Sequence, residues 1–464
     1  MKRFNPLLKL LPLLCLLLPL SPGVCARESL PSQDLRLRLR IEPLTGHIQG
    51  NATISRCRER RFYLHKNLRV LKILSQGREI PFRRGTAGEP FPSARNTSPV
   101  LLQEEPGGEL LVEYEGDLAS PEGGMTGVQP ESVELALPSG WFPLFPEPEP
   151  FTFSLDIDLP SSFVPTSNGR KESLKFQRGR TRFRSRSFLP GKDIVLIAAP
   201  NLISLQERRG GFATEIFYLR AQPEEMKEVA RELTSFQEKM RSLFGEGQSK
   251  TAPRLVCLPR QEGYSAPPLL VVPEESFLGT EGDRWRRARL YHDLFYHVSR
   301  LGWTVSDSNT QDDWINEALA EYTALLFSRE RFGEGFAEEM RGFYTDRSRQ
   351  CVTCDSIAET GDSSPDRTIN RRYKAVLLFL EGEAKFGKEP LLSLLKRLLR
   401  DSRQGWKVTT DLFLEECKEI LGEEQESFFQ RALYRQESPP EPSPSGLIPA
   451  PIGRESPSTG ISPD

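Results

Sequence analysis

The apolar pattern of the chain changes near Tyr218, and this change limits the folds that the chain can adopt. Residues 34–41 read Asp-Leu-Arg-Leu-Arg-Leu-Arg-Ile, a strict alternation that predicts a half-buried strand. More strand patterns follow, separated by Gly- and Pro-rich breaks. Residues 223–244 then form a long helical pattern, and helices dominate beyond it. The order predicts an α+β protein, with an all-β region ahead of a mainly helical one.

The further patterns fix the approximate places of the elements. Strands are predicted at 69–73, 109–114, 151–157, 173–176 and 193–198, which together describe a β-sandwich or saddle. Two more strands are predicted at 255–258 and 269–272, and helices at 284–301, 314–329, 372–386 and 391–400.

The first residues have the pattern of an export signal. Lys2 and Arg3 precede an apolar run, 10–20, that is too short to span a bilayer, and small residues favour cleavage after Ala26. A lipid anchor on Cys25 is the alternative. Since no later stretch approaches transmembrane length, we expect an exported protein, periplasmic, envelope-bound or secreted, with no transmembrane segment after signal cleavage.

Charge gives no indication of a nucleic-acid partner. The formal net charge is -2, and arginines cluster in the first part of the chain. Arg180, Arg182, Arg184 and Arg186 alternate with Thr, Phe and Ser, as one solvated face of a strand would. We therefore expect no nucleic-acid ligand.

Cys351 and Cys354 form a Cys-x-x-Cys motif. In an oxidising compartment this spacing favours a local disulfide, and nothing around it resembles a thioredoxin-like redox unit. The chain has no second Cys-x-x-Cys that could complete a structural zinc site.

Two of the four histidines, His292 and His297, lie in one helical segment, Tyr-His-Asp-Leu-Phe-Tyr-His. A zincin helix carries histidines at i and i+4, with a glutamate after the first as general base. Position i+4 here is Tyr296, and His297 lies about 140° around a regular helix from His292. A π-bulge would realign His297, and a Tyr296 phenolate is a second alternative ligand.

The motif Asp-Trp-Ile-Asn-Glu-Ala-Leu-Ala-Glu-Tyr places Glu317 and Glu321 on one helix face. It resembles the Trp-Leu-Asn-Glu-Gly-Phe-Ala-Glu-Tyr signature of the membrane alanyl aminopeptidase family, which are gluzincin zinc metallopeptidases. The resemblance implies that Glu317 and His292 are metal-ligand positions. It also implies that Asp293 takes the place of the catalytic glutamate and Tyr296 that of the second histidine ligand.

The resemblance extends to the substrate and oxyanion positions. The family's Gly-Ala-Met-Glu-Asn, whose glutamate binds the amino terminus of a peptide, corresponds to a stretch that begins Gly263-Tyr264 and has Ala266 in the place of that glutamate. The family's oxyanion tyrosine corresponds to Arg372 in a strict alignment, and to Tyr373 after a slip of one residue.

The resemblance covers about residues 34–435 and implies a short, divergent member without the family's carboxy-terminal helical domain. We predict four segments: a signal at 1–26, an aminopeptidase-like β domain at 27–210, a thermolysin-like domain at 211–436, and a disordered tail rich in Pro, Ser and Glu at 437–464.

An active hydrolase of this type needs three zinc ligands, an open position for water and a general base that reaches the water. Here one ligand is replaced, and Asp293 is one methylene shorter than glutamate. We predict a catalytically degenerate protein that binds a peptide or protein ligand, with zinc a possible but doubtful cofactor. The alternative is an active zinc metallopeptidase with an altered metal site, in which His297 supplies the second imidazole.

Overall fold

The computed structural model describes residues 33–436, apart from 86–90, 92–93, 120–125, 147–149, 188–189, 246–251, 279–282, 362 and 404. The predicted export signal at 1–26 and the predicted disordered tail at 437–464 lie outside the described residues. Within the described ranges, every helix is too short or too polar to cross a membrane.

The amino-terminal part consists mainly of strands. Their bounds are β1 Asp34–Glu42, β2 His47–Cys57, β3 Arg61–His65, β4 Leu68–Ser75, β5 Arg78–Glu79, β6 Phe82–Arg84, β7 Thr97–Leu102, β8 Gly108–Asp117, β9 Gly127–Gln129, β10 Ser132–Leu135, β11 Thr152–Pro160, β12 Phe163–Ser167, β13 Arg170–Gln177, β14 Arg180–Arg186 and β15 Leu196–Pro200.

Eight of these strands form one sheet in the order β13-β14-β11-β1-β2-β8-β4-β5. Strand β1 pairs in parallel with β11 and antiparallel with β2. The alternation along β1 is confirmed, because its leucines are buried and its arginines are exposed. Two smaller sheets, β12-β15-β10-β9 and β3-β7-β6, share an apolar core with the large one.

The second part combines a small sheet with helices. Its strands are β16 Ile203–Arg209, β17 Phe212–Tyr218, β18 Arg254–Leu258, β19 Tyr264–Ala266 and β20 Leu269–Pro273. Its helices are α1 Pro223–Phe244, α2 Arg284–Gly302, α3 Asp313–Phe332, α4 Glu334–Ser348, α5 Ala375–Phe386, α6 Lys388–Arg403, α7 Thr410–Ile420 and α8 Glu423–Leu433. A π-helical turn, Ile369–Lys374, leads directly into α5.

The small sheet has the order β16-β17-β18-β20-β19, so β19 is an edge strand. Strands β16 and β17 form a hairpin around residue 210. The predicted domain boundary between 210 and 211 stays a prediction. Helices α2 and α3, which carry the two sequence motifs, pack directly against each other.

Local sequence explains where the motif helices begin and end. The Asp283 carboxylate caps α2 by accepting the Arg286 N–H at 2.9 Å, which satisfies one of the free amides of the first turn. Helix α3 ends at Gly333, whose φ of 95° lies in the region that favours glycine. The α+β fold class is confirmed: a mostly β region precedes a mostly helical one.

Candidate functional site

His292 projects from α2 into the core rather than toward an open site. Its side chain is fully buried, with Nδ1 3.1 Å from Ser328 Oγ and Nε2 2.9 Å from Glu321 Oε1. Because an ionised carboxylate can only accept, Nε2 carries the hydrogen of this bond. Both ring nitrogens of His292 are therefore engaged with α3.

Glu321 is the buried acceptor at the centre of this network. Tyr344, from α4, donates its hydroxyl to Glu321 Oε1 at 2.6 Å and lies 2.9 Å from His292 Nε2. Burial alone would raise the pKa of Glu321, but the Arg372 guanidinium and the His292 hydrogen bond hold it far below its usual range. Glu321 is therefore ionised in the protein interior.

The guanidinium of Arg372 balances that buried charge. Its Nε donates to Glu321 Oε2 at 2.7 Å, and one terminal nitrogen lies 3.4 Å from Asp293 Oδ1. Its central carbon lies 3.7 Å from the ring centroid of Tyr296, within the range of a cation–π contact. A permanent cation thus lies among the residues that the family resemblance assigns to zinc and the general base.

Glu317, the third predicted ligand, is also occupied. It accepts a hydrogen bond from the Tyr296 hydroxyl, and its Oε1 lies 2.9 Å from Arg300 Nε. Burial, and next the Glu317 carboxylate, raise the pKa of Tyr296 well above its usual value. In this arrangement Tyr296 is a neutral phenol, so the phenolate alternative has no support here.

The π-bulge alternative for His297 is wrong, because α2 is regular α-helix from Arg284 to Gly302. His297 therefore faces a different direction from His292, about 140° away around the helix. It lines a cavity and makes no hydrogen bond with any described residue. Burial, and next the charge of Arg372, lower the pKa of His297 to about 4, so its imidazole is neutral at neutral pH.

These contacts do not fit a zinc ion. His292 offers no free lone pair to an open position, and Tyr296 and Glu317 hydrogen-bond to each other. Among the residues that the structure describes, no three His, Cys, Asp or Glu side chains are placed to hold a metal together. The roles of His292, Glu317 and His297 as ligands, and of Asp293 as general base, stay predictions from the resemblance.

A cavity of about 580 Å³ opens beside this network. Strands β19 and β20 form one wall, helix α2 a second, and the end of α4 with the π-helical turn a third. Its lining includes Gly263, Tyr264, Trp285, Arg289, Asp293, His297, Phe343, Arg347, Arg372 and Tyr373.

The predicted substrate and oxyanion positions lie at or near this cavity. Gly263 and Tyr264 line it, whereas Ala266 is buried in the core beneath the small sheet. The Arg260 guanidinium covers the Tyr264 ring at 4.7 Å. Tyr373 also lines the cavity and stacks on Tyr344 with ring centroids 6.2 Å apart. Their functional roles stay predictions.

Cys351 and Cys354 form a disulfide, as their spacing favours. The loop that contains them is held by Asp366, whose carboxylate accepts the backbone N–H groups of Val352, Thr353 and Cys354. The disulfide does not line the cavity.

Several residues of the network were not singled out from the sequence. Arg289 lies four residues before Asp293 on the same helix, and this spacing indicates an ion pair. Arg300, Ser328 and Tyr344 gave no comparable signal, because they meet their partners only after α2, α3 and α4 have packed together.

Solved structures share this fold. The M1 zinc metallopeptidase from Deinococcus radiodurans is 18% identical, with a TM-score of 0.62, and the match covers 90% of this chain and 96% of that chain. A mutant from the same organism, bound to a Tyr-Ser-Ala substrate, also gives 18% identity and a TM-score of 0.62, over 89% and 96% of the two chains. A two-domain M1 zinc metallopeptidase mutant bound to L-tryptophan is 18% identical, with a TM-score of 0.63, and the match covers 89% of this chain and 96% of that chain.

At this identity the likeness is one of fold. No protein-family model and no curated protein matches the sequence.

Proposed function

We propose that this chain, which has the fold of the M1 zinc metallopeptidases, is a catalytically degenerate protein that binds a peptide or protein ligand in its cavity. One observation carries the proposal. The Arg372 guanidinium is ion-paired with Glu321 and Asp293 and lies against Tyr296. An arginine cannot give up its proton under physiological conditions, so the positive charge there is permanent.

Electrostatics explains why this arrangement opposes metal binding. A divalent ion near Tyr296 would be repelled by the guanidinium, and His292 would have to leave both hydrogen-bond partners to reach it. Zinc would also need a third donor, whereas Glu317 is neutralised by Arg300. A zinc-activated water therefore has no support from these side chains.

The same contacts support a binding role. The cavity combines aromatic surface with a small number of polar groups, the composition of a ligand pocket. The Deinococcus radiodurans mutant with the same fold is bound to a Tyr-Ser-Ala substrate, which supports a peptide as the ligand of this architecture. We also propose that the chain is exported, on the basis of the signal-like sequence at 1–26.

Metal content tests the proposal. After incubation with excess zinc and dialysis, we expect the purified mature protein to retain less than roughly one tenth of an equivalent, because two side chains do not hold zinc tightly. Elemental analysis by plasma mass spectrometry gives this number. Chelation should leave the melting temperature unchanged.

Glu317→Ala is the matched control. Any residual zinc bound adventitiously should be the same in this variant and the wild type. Near-stoichiometric zinc that disappears in Glu317→Ala, together with hydrolysis of peptide amides, would support the active-metallopeptidase alternative and overturn our proposal.

A further inference from the structure

We propose that the cavity selects an extended peptide that carries carboxylates, the opposite polarity from a site that anchors a free amino terminus. The inference rests on the proposed binding function and specifies its ligand. It follows from the charges that line the cavity, from an imidazole in the lining that makes no hydrogen bond with a described residue, and from the position of an edge strand in the wall.

The ionised lining of the cavity is mainly cationic. Arg289, Arg347 and Arg372 face it, and Asp293 is the one carboxylate among the described lining residues. Asp293 lies 3.5 Å from Arg289 and 3.4 Å from Arg372, so it is shared between two guanidinium groups. Glu321, behind the wall, neutralises part of the Arg372 charge. The remaining positive charge belongs to Arg289 and Arg347.

Arg347 is the cavity arginine whose positive charge is not balanced by a described carboxylate. It donates to the neutral amide oxygen of Gln350 at 3.2 Å and makes no ion pair with any described residue. Its guanidinium lies 5.3 Å from the ring of Phe343, and that of Arg289 lies 3.8 Å from the same ring. Phe343 thus holds two guanidinium groups at the cavity wall, and a carboxylate could accept hydrogen bonds from them.

His297 adds a hydrogen-bonding group next to these cations. It faces the cavity and has no hydrogen-bond partner among the described residues. The residue is half-buried, and its ring nitrogens are not among the buried polar atoms that lack a partner, so they remain accessible from the cavity. A ligand amide or carboxyl group within the cavity could form a hydrogen bond with the imidazole.

The position that would select an amine is apolar. Ala266 occupies the place of the family's amine-binding glutamate and is buried in the core. A peptide amino terminus in the cavity would therefore meet Arg289 and Arg347 without a compensating acid other than the shared Asp293. The cavity favours carboxylates and disfavours ammonium groups.

The edge strand indicates that the anion belongs to an extended peptide. Strand β19 pairs with β20 on one side only, and Tyr264, at its start, lines the cavity. The free backbone groups of an edge strand pair with an added strand, a common mode of peptide binding. The rings of Trp285 and Tyr373 offer apolar surface for side chains of the ligand.

Fluorescence anisotropy with matched peptides tests the proposal on the full mature protein. Three labelled hexapeptides with a common sequence carry Glu, Gln or Lys at two internal positions, and each is made with a free and with an amidated carboxy terminus. We expect the Glu peptide to bind at least about tenfold more tightly than the Gln peptide, and the Lys peptide most weakly. Comparison of the free and amidated forms separates side-chain carboxylates from the terminal one.

The variant Arg347→Ala should weaken binding of the Glu peptide about tenfold and leave binding of the Gln peptide nearly unchanged. Arg349→Ala is the matched control, because Arg349 lies at the end of the same helix, pairs with Asp346 and does not line the cavity. It removes the same charge from the protein and should have little effect. Added salt should weaken binding of the Glu peptide more than that of the Gln peptide.

Equal affinity for the Glu and Gln peptides, or equal losses in Arg347→Ala and Arg349→Ala, would overturn the charge selectivity and leave a peptide-binding role intact. Failure of all six peptides to bind the folded protein would also overturn it. Mass spectrometry of the same mixtures shows whether peptides are cleaved. Cleavage would contradict the proposed function itself, so the two failures are distinguishable.

Discussion

Arg372 is nearly buried, and its guanidinium is bound by the carboxylates of Glu321 and Asp293. We expect Arg372→Met to lower the free energy of unfolding by about 3–5 kcal/mol, because it leaves the Glu321 charge buried without a cation. Urea denaturation followed by circular dichroism measures the change.

The double variant Glu321→Gln/Arg372→Met should be less destabilised than Arg372→Met, since it removes both members of the pair. Arg349→Ala, at an exposed pair, should change the free energy of unfolding by less than about 1 kcal/mol. A similar small effect of Arg372→Met would contradict a stabilising role for its guanidinium.

The same network predicts how the stability of the protein depends on pH. The pKa of Glu321 in the folded protein lies below its ordinary value of 4.5, so the unfolded state takes up its proton first on acidification. The stabilisation from this carboxylate is present above about pH 4.5 and is lost as the pH falls through the folded-state value. In Arg372→Met this acid-induced loss should be smaller, because the pKa of Glu321 is no longer held down by a guanidinium.

At the level of single residues, the sequence indicated which candidate residues belong together but not which of them are in contact. The resemblance brought attention to His292, Tyr296 and Glu317, and the structure places all three on the facing helices α2 and α3. It did not indicate that His292 meets Glu321 rather than Glu317. That choice depends on side-chain rotamers and on Tyr344, which comes from a helix elsewhere in the sequence.

Among the helices, the sequence predicted α1, α2, α3, α5 and α6, and it missed α4, α7 and α8. Helix α4 contains Gly335 and Gly342, and glycine lowers helix propensity by about 1 kcal/mol per residue. Its buried residues Phe336, Met340 and Tyr344 nevertheless repeat every four positions, the period of an amphipathic helix. Packing against α3 stabilises this helix where local propensity does not.

The loop of the disulfide provides a test at the level of an element. Asp366 is fully buried and accepts three consecutive backbone N–H groups, from residues 352–354, just before the π-helical turn. We expect Asp366→Ala to lower the free energy of unfolding by about 2–4 kcal/mol, since these donors lose their acceptor. Differential scanning calorimetry and urea denaturation both report this loss.

Asp366→Asn should lower the free energy of unfolding less than Asp366→Ala does, because the amide oxygen still accepts one or two of these hydrogen bonds. Asp346→Ala, at an exposed ion pair, is the surface control and should have little effect. If Asp366→Ala changes the free energy of unfolding no more than Asp346→Ala does, the carboxylate does not stabilise the loop.

At the scale of the whole molecule, the β region and the helical region share part of their cores. Buried residues of β15 and of the small sheet belong to one apolar cluster. Arg254, from β18, donates hydrogen bonds to the backbone carbonyls of Ser167, the last residue of β12, and of Gly169. The members of this cluster are Ala136, Val195, Ile197, Ala199, Leu202, Phe217, Val256, Leu258, Ala266, Leu269 and Val271. A shared cluster couples the stability of the two regions.

We therefore expect one cooperative unfolding transition for the described regions. Ile197 is fully buried in the shared cluster, and Ile197→Ala should lower the free energy of unfolding by about 2–5 kcal/mol without splitting the transition. Tryptophan fluorescence and far-ultraviolet circular dichroism should give the same midpoint, since buried tryptophans lie in both regions, Trp141 in the first and Trp303 in the second.

Ile157→Ala is the comparison, because Ile157 is equally buried but belongs to the core of the large sheet. If the molecule unfolds cooperatively, Ile157→Ala also lowers the midpoint of the single unfolding transition. Two separate transitions, with Ile157→Ala affecting only one of them, would show that the regions unfold independently.

The architecture was the most predictable property at this scale. Alternating apolar residues in the first half and helical periods in the second were sufficient for the α+β class, and ordered motifs indicated the peptidase-like arrangement. The shared core could not be predicted, because it depends on how two sheets approach each other. Pattern analysis along one chain contains no information on that distance.

Arg372 also limits which substitutions could convert this chain into a metal enzyme. Replacing Tyr296 by histidine would add a metal ligand, and replacing Asp293 by glutamate would add a longer general base, but both would lie beside a guanidinium that repels the ion. Removing Arg372 first would leave Glu321 uncompensated and cost stability. Both members of the Arg372–Glu321 pair must therefore be replaced together with the new ligand and base, so that neither charge is left buried without a partner.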